Sequence, residues 1–177
     1  QKHSSGNIGL PLPSIDIASK DDDGLSLPAG SSGETRIRGP NVMWGYFNQP
    51  EENAKTFTAD GFMRTGDVGI MDEEGFTRIV DRKKDMLIVS GFNVFPSELE
   101  NVISTCPGVV ECAVVGIADS MQGETIKACV VRNDPLLTEE AVARFCHENL
   151  TGYKRPKYIE FRDELPKSNV GKILRRE

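Results

Sequence analysis

Histidine is nearly absent. His3 and His147 are the only two in 177 residues, and they lie far apart, which argues against a histidine-bound metal. Cysteine is sparse. Cys106, Cys112, Cys129 and Cys146 never stand in C-x-x-C spacing, so neither a zinc knuckle nor a redox pair is indicated. Cys112 and Cys129 sit inside apolar stretches and read as reduced core thiols of a cytosolic protein. Excess basic charge is missing. The net charge of −6 opposes a dedicated nucleic-acid binder. No apolar run approaches the ~18 residues of a membrane-spanning helix. The first residues lack the charged-then-apolar pattern of a secretion signal. The chain opens at Gln1-Lys2-His3 with no initiator methionine, as a piece of a longer protein would. Repeats and low-complexity tracts are also lacking. So is a phosphate-binding loop: Ser31-Ser32-Gly33 is turn-like but has no following lysine.

What is present divides into two halves. Up to about Val80 the chain reads as short strands and turns, forming a small β-barrel or sheet. Ser14–Ala18 alternates with period two, and Thr35–Arg38 is a strand stopped by Gly39-Pro40. Pro50-Glu51-Glu52 opens a short helix, with proline at the first position and acids at the positive end of the dipole. Asp60-Gly61 and Glu74-Gly75 are turns, and Phe76–Val80 is another strand. After Asp81 the pattern becomes α+β. Met86–Val89 is a short strand. Pro96 opens a helix with Leu99, Val102 and Ile103 on one face, stopped at Cys106-Pro107-Gly108. Val109–Ile117 and Ile126–Arg132 are apolar, β-branched strands around a polar turn, Asp119–Glu124. Thr138 caps a helix that turns Val142, Phe145 and Cys146 inward and ends at Gly152. Lys157–Phe161 is a last strand, and Asp163–Lys172 a loop.

Four segments carry chemistry. In Arg64-Thr65-Gly66-Asp67 a carboxylate follows a glycine turn, where it could accept two hydrogen bonds from a ribose diol; alone, it is equally an aspartate in a β-turn. Asp81-Arg82-Lys83-Lys84-Asp85 is a charge cluster between two apolar strands, either a solvated connection or a hinge. In Ser90-Gly91-Phe92-Asn93 the glycine either serves a turn or lets a thin ligand pass close to the backbone. In Pro166-Lys167-Ser168-Asn169-Val170-Gly171-Lys172 the last lysine is either an ordinary surface residue or an ammonium that a polar loop delivers to a phosphate centre.

Taken together and in this order, these segments resemble the C-terminal signature of the adenylate-forming (AMP-binding) acyl-CoA synthetase superfamily, and within it bacterial long-chain fatty acid–CoA ligases. The resemblance runs from about Gly9 to the last residue. It implies an α+β fold in two parts. Residues 1–81 would be the distal β-rich part of a large N-terminal domain. Residues 82–177 would be a small C-terminal α+β domain with a short central sheet and flanking helices, hinged near Lys84. The implied reaction joins ATP and a long-chain fatty acid into an acyl-adenylate, releasing pyrophosphate; CoA then gives acyl-CoA and AMP. By resemblance Asp67 binds the ribose hydroxyls, and Arg82 contacts the same ribose. Lys84 is the pivot between the orientations used for the two half-reactions. Gly91, with Ser90 and Phe92, lines the channel for the pantetheine arm, and Lys172 is the adenylation lysine. The magnesium ligand and the acyl pocket are expected upstream of Gln1, so no metal ligand is assigned within this chain.

The implied partners are therefore long-chain fatty acid, ATP and CoA, with no nucleic acid. A cytoplasmic parent enzyme that visits the inner membrane surface is expected. Alone, the chain is expected to be inactive. Two rival readings stand beside this one. One is another adenylate-forming enzyme that passes its acyl group to a carrier protein, which the Gly91 loop separates poorly. The other is a non-catalytic interaction module on the same small domain, against which the joint presence of Asp67, Arg82 and Lys172 argues.

Overall fold

The computed structural model describes residues 6–121 and 123–175. The opening Gln1-Lys2-His3 and, within the polar turn, Gln122 lie outside the described residues. The chain divides into two compact units, the first ending at Lys84 and the second beginning at Asp85.

The first unit is an open antiparallel sheet rather than a barrel. Its strands are β1 (Asp16–Lys20), β2 (Ser32–Arg38), β3 (Met63–Met71) and β4 (Thr77–Arg82), in the order β1-β2-β3-β4. Helix α1 (Pro50–Thr56) lies between β2 and β3 in sequence; Pro50 starts it, with Glu51 and Glu52 in its first turn. Arg64-Thr65-Gly66-Asp67 is not a turn between strands, because it lies inside β3. The register jumps there: Glu34 pairs with Val68 and Arg36 with Arg64, so Thr35 alone faces Thr65, Gly66 and Asp67. Gly66 takes φ 71°, the left-handed conformation such a bulge requires. The Thr65 hydroxyl donates to the Thr35 carbonyl at 2.6 Å and accepts the Asp67 N–H at 3.1 Å, closing the bulge.

This unit buries much charge. Glu34 and Arg36 are buried and paired at 3.2 Å, and Lys83 Nζ reaches Glu34 at 3.4 Å. Lys83 also holds Asp22 at 2.8 Å, and chiefly that hydrogen bond keeps the Asp22 carboxyl below its ordinary pKa. These contacts explain why the first unit runs to Lys84 rather than ending at Asp81: β4 continues to Arg82, and Lys83 is tied back to the same sheet.

The second unit is α+β. Strands β5 (Leu87–Val89) and β6 (Phe92–Val94) form a hairpin, α2 (Pro96–Ile103) follows, and β7 (Val109–Asp119) and β8 (Gly123–Arg132) form a long antiparallel pair. Helix α3 (Glu139–Asn149) and strand β9 (Tyr158–Phe161) complete it. The sheet order is β6-β5-β8-β7, with β9 parallel to β8. The Thr138 side chain caps α3 by accepting the Ala141 N–H at 3.2 Å. The helix ends at Asn149, and Gly152 instead opens a 3-10 turn, Gly152–Lys154.

Alternation along β7 and β8 sorts their side chains onto two faces. Cys112, Val114, Ile126, Ala128 and Val130 join Leu99, Ile103, Val142 and Cys146 in the main core under α2 and α3. Ala113 and Cys129 point the other way and meet Leu165, with Val131 and Ile173 packed beside them. Thus Asp163–Lys172 is more than a loop, because its buried Leu165 anchors it on the sheet. Among the described residues no helix is long and apolar enough to cross a membrane.

Burial pushes the Cys112 thiol up to about 12 and the Cys146 thiol to about 11; Cys106 is raised by the same cause. Cys112 and Cys146 should therefore resist iodoacetamide at pH 8 in the native chain, because the reactive thiolate is scarce and covered. All four cysteines should alkylate in urea. Native alkylation of Cys112 at its urea rate, read by mass spectrometry, would contradict this packing.

Candidate functional site

The first unit brings Asp67 and Arg82 together. They are register partners across β3 and β4, and Arg82 Nε lies 3.0 Å from Asp67 Oδ1. The bulge at Gly66 puts Asp67 on this row, and the Asp81 carboxylate accepts the Arg82 N–H at 2.8 Å. The Arg82 side chain is half exposed and the Asp67 carboxylate a quarter exposed. An ion pair so open to water contributes only about 0–1 kcal/mol. It holds side by side, at the sheet surface, a carboxylate that accepts and a planar guanidinium that donates.

Lys84 is the last residue of the first unit and sits in a 3-10 turn, Lys83–Asp85. Its neighbour Lys83 is fixed by Glu34 and Asp22, so the backbone is held up to this point. Asp85, the first residue of the second unit, has its own anchor there: Arg175 Nη1 lies 3.5 Å from Asp85 Oδ2.

Ser90 and Gly91 are the two loop residues of the β5–β6 hairpin, with Val89 opposite Phe92. Both take positive φ, 52° and 82°, as the two-residue type I′ hairpin demands. A Cβ added to Gly91 would meet nothing within 4 Å, so backbone shape rather than crowding selects glycine there. Phe92 is largely exposed and stacks on Tyr153, centroids 4.7 Å apart and planes at 25°. Lys154, beside Tyr153, bonds Glu98 of α2 at 2.6 Å. The hairpin tip therefore has a second wall, Tyr153 and Lys154, that no sequence motif indicated. The available signal was an aromatic and a lysine directly after a turn glycine.

Lys172 follows a tight turn. Gly171, at φ 78°, donates its N–H to the Ser168 carbonyl at 2.8 Å; Ser168 N–H donates to the Lys172 carbonyl at 2.8 Å; Lys172 N–H donates to Ser168 Oγ at 3.2 Å. Lys167 and Ile173 pair across the base. The two lysines differ sharply. Lys167 Nζ is 2.6 Å from Glu111 Oε1. The Lys172 side chain is exposed and has no partner among the described residues.

Among the described residues no group of three or more His, Cys, Asp or Glu could hold a metal ion.

Comparison with known proteins bears on all of this. Residues 98–172 match the model of the AMP-binding enzyme C-terminal domain. The chain is 55% identical, over 99% of its length, to a long-chain-fatty-acid–CoA ligase of Escherichia coli O6:H1, and 46% identical, again over 99%, to the ligase of the same name from Bacillus subtilis. It spans 31% of the length of each. Among solved structures, ATP-bound MatB from Rhodopseudomonas palustris superposes with a TM-score of 0.90 at 39% identity, covering 97% of this chain and 34% of that one. The o-succinylbenzoate CoA synthetase MenE from Bacillus subtilis, in complex with its acyl-adenylate intermediate, gives 0.91 at 35% identity, covering 99% and 36%. The α+β build, the family match and these relatives agree: residues 98–172 are an AMP-binding enzyme C-terminal domain, and the chain along nearly its whole length is similar to adenylate-forming ligases.

Proposed function

We propose that this chain serves, within a longer polypeptide, a long-chain fatty acid–CoA ligase. The proposed reaction has two steps. The fatty-acid carboxylate attacks the α-phosphorus of ATP, a carboxyl–phosphorus bond forms, and pyrophosphate leaves with the electrons of the broken Pα–O bond. The sulfur of CoA then attacks the acyl carbonyl, its proton is lost, and AMP leaves. The substrate class is carried by the named relatives, which are long-chain ligases along the whole of this chain.

The proposed residue roles are those the family resemblance implies, and the geometry is consistent with them. Asp67 accepts from the ribose hydroxyls, with Arg82 beside it as a donor to the same sugar. Lys84 is the pivot, fixed on its near side through Lys83. Ser90, Gly91 and Phe92 border the pantetheine arm. Lys172 meets the negative charge where carboxylate and phosphate come together. The observation that most supports this reading is the contrast at the C-terminal turn: Lys172, on an anchored turn, has no partner for its ammonium among the described residues, whereas Lys167 is engaged by Glu111. Cytoplasmic residence with peripheral visits to the inner membrane is part of the same proposal.

The carrier-protein alternative shares all of these roles and differs only in what holds the pantetheine. Kinetics of the full-length enzyme with free CoA against carrier-bound thiol separate the two.

Three outcomes test the proposal. Lys172→Ala in the full-length ligase should lose on the order of 10²–10³ in the adenylation rate, the usual effect of removing one positioned charge. Thioester formation from supplied acyl-adenylate should change far less, and Lys167→Ala should be milder in adenylation. Normal adenylation by Lys172→Ala, or greater damage from Lys167→Ala, in separate half-reaction assays would overturn the assignment.

The 177-residue chain alone should release no pyrophosphate from ATP in a fatty-acid-dependent way, since it has no phosphate loop. Release that Lys172→Ala abolishes would sink this expectation.

Lys84→Pro locks φ near −65° and deletes an amide donor. It should slow thioester formation much more than adenylation. Equal losses in both half-reactions would remove Lys84 as the pivot.

A further inference from the structure

Arg175 belongs to none of the segments that carried the functional reading, yet its guanidinium contacts three residues of the second unit: Glu100, Ser97 and Asp85. Its Nε lies 2.7 Å from Glu100 Oε1 and its Nη2 lies 2.5 Å from Glu100 Oε2, a two-pronged guanidinium–carboxylate pair. Nη2 also donates to Ser97 Oγ at 2.9 Å, and Nη1 lies 3.5 Å from Asp85 Oδ2. Glu100 is itself fixed, because Oε1 accepts the Val114 N–H at 2.9 Å. The side chains are largely covered: Arg175 is 20% exposed, Glu100 18% and Asp85 15%. Such a pair is less screened than a surface bridge, and only a planar, forked cation satisfies it.

These contacts converge at the base of the turn that carries Lys172. Leu165 is buried on one side of that turn, and Ile173 packs against the same patch on the other. Leu174 N–H donates to the Pro166 carbonyl at 2.9 Å, and Lys167 pairs with Ile173. The apolar contacts and the Lys167–Glu111 pair hold the base on the sheet. Arg175 adds ties from the segment that leaves Lys172 to α2 through Ser97 and Glu100, to β7 through Val114, and to Asp85 at the start of the unit.

We propose that Arg175 is a positioning residue for Lys172: its fork on Glu100, shared with Ser97 and Asp85, makes the Lys172 turn part of the rigid body that begins at Asp85. Any rotation of the unit at its first residue then carries the ammonium with it through a fixed arc. This rests on the adenylation role assigned to Lys172, but its structural half does not.

The structural half is read by amide hydrogen exchange on this chain. In Arg175→Gln the amides of Ser168, Lys172 and Leu174 should exchange at least about tenfold faster, the least that loss of a charge-assisted hydrogen bond should produce. The amides of Ile126, Ala128 and Val130 in the main core should keep their protection. Glu100→Gln should reproduce the pattern, and Arg175→Lys should stay close to Arg175→Gln because it keeps the charge without the fork. Unchanged turn amides, an equal loss of protection across the main core, or full recovery in Arg175→Lys would each overturn the proposal. In the full-length ligase Arg175→Gln should lower the adenylation kcat about 10–100-fold, as displacement of a positioned group does. The KM for ATP and thioester formation from supplied adenylate should hold. A rise in KM with kcat intact would also overturn it. If Lys172→Ala adenylates normally, the functional reading fails while the exchange result stands; if the turn amides do not respond, this inference fails while the role of Lys172 stands.

Discussion

The second unit is organised by the two-sidedness of the β7–β8 pair. A strand presents successive side chains to opposite faces, and each face of this pair has a different task. Val114, Ile126, Ala128 and Val130 close the helical core. Ala113 and Cys129 form a small apolar floor for Leu165 and Ile173, and so for the turn that carries Lys172. A one-residue slip of β7 against β8 would exchange the faces, exposing the core set and removing the floor. The long run of register partners from Cys112 with Val130 to Asp119 with Gly123 guards against that slip. The position of Lys172 therefore depends on hydrophobic alternation well away from it.

Charge is handled differently in the two units. The first unit buries Glu34 and Arg36 together, and the open sheet leaves few apolar side chains inside, Phe62 and Val68 among them. Buried ion pairs are poor sources of net stability, because desolvation offsets most of their attraction. What they supply is direction. Glu34 draws in Lys83, which fixes the backbone just before Lys84. The second unit repeats the device with opposite polarity: Arg175 draws in Asp85 just after Lys84. A residue flanked by two such anchors is where backbone rotation is concentrated, which is the physical basis for proposing the pivot there.

The strong local signals were legible in the sequence. Thr138 before Glu139-Glu140, Pro96 before the Leu99 face, and the β-branched run from Val109 gave elements close to those observed. Errors arose where the deciding contact is non-local. Arg64-Thr65-Gly66-Asp67 looks like a turn because Gly and Asp favour turns, but pairing with β2 and β4 keeps it in a strand and converts the glycine's freedom into a bulge. Strand β6, three residues long, is too short to show a period. Ser90-Gly91 did signal a turn, but not that both residues take positive φ. Asp163–Lys172 read as a loop because one buried Leu165 in a polar stretch leaves no periodic trace. Of the candidate site, the residue types were legible; the pairing of Asp67 with Arg82, the wall at Tyr153 and the Arg175–Glu100 fork were not, since each joins positions distant in sequence.

The difference between the two lysines fits the role proposed for Lys172. A lysine held by a carboxylate must break that pair before it can meet phosphate, and the carboxylate would travel with it and repel the same phosphate. Lys167, bonded to Glu111, is in that position and suits holding the segment down. Lys172 has no such partner among the described residues, so against them its charge is available without a prior loss. The counterweight is entropy, because a free lysine side chain samples many rotamers, and ordering it costs up to about 2 kcal/mol. An anchored backbone reduces the remaining search to the side chain itself. The Ser168–Gly171 turn and the contacts of Leu165 and Ile173 accomplish this without placing any acidic group of the described residues against the ammonium.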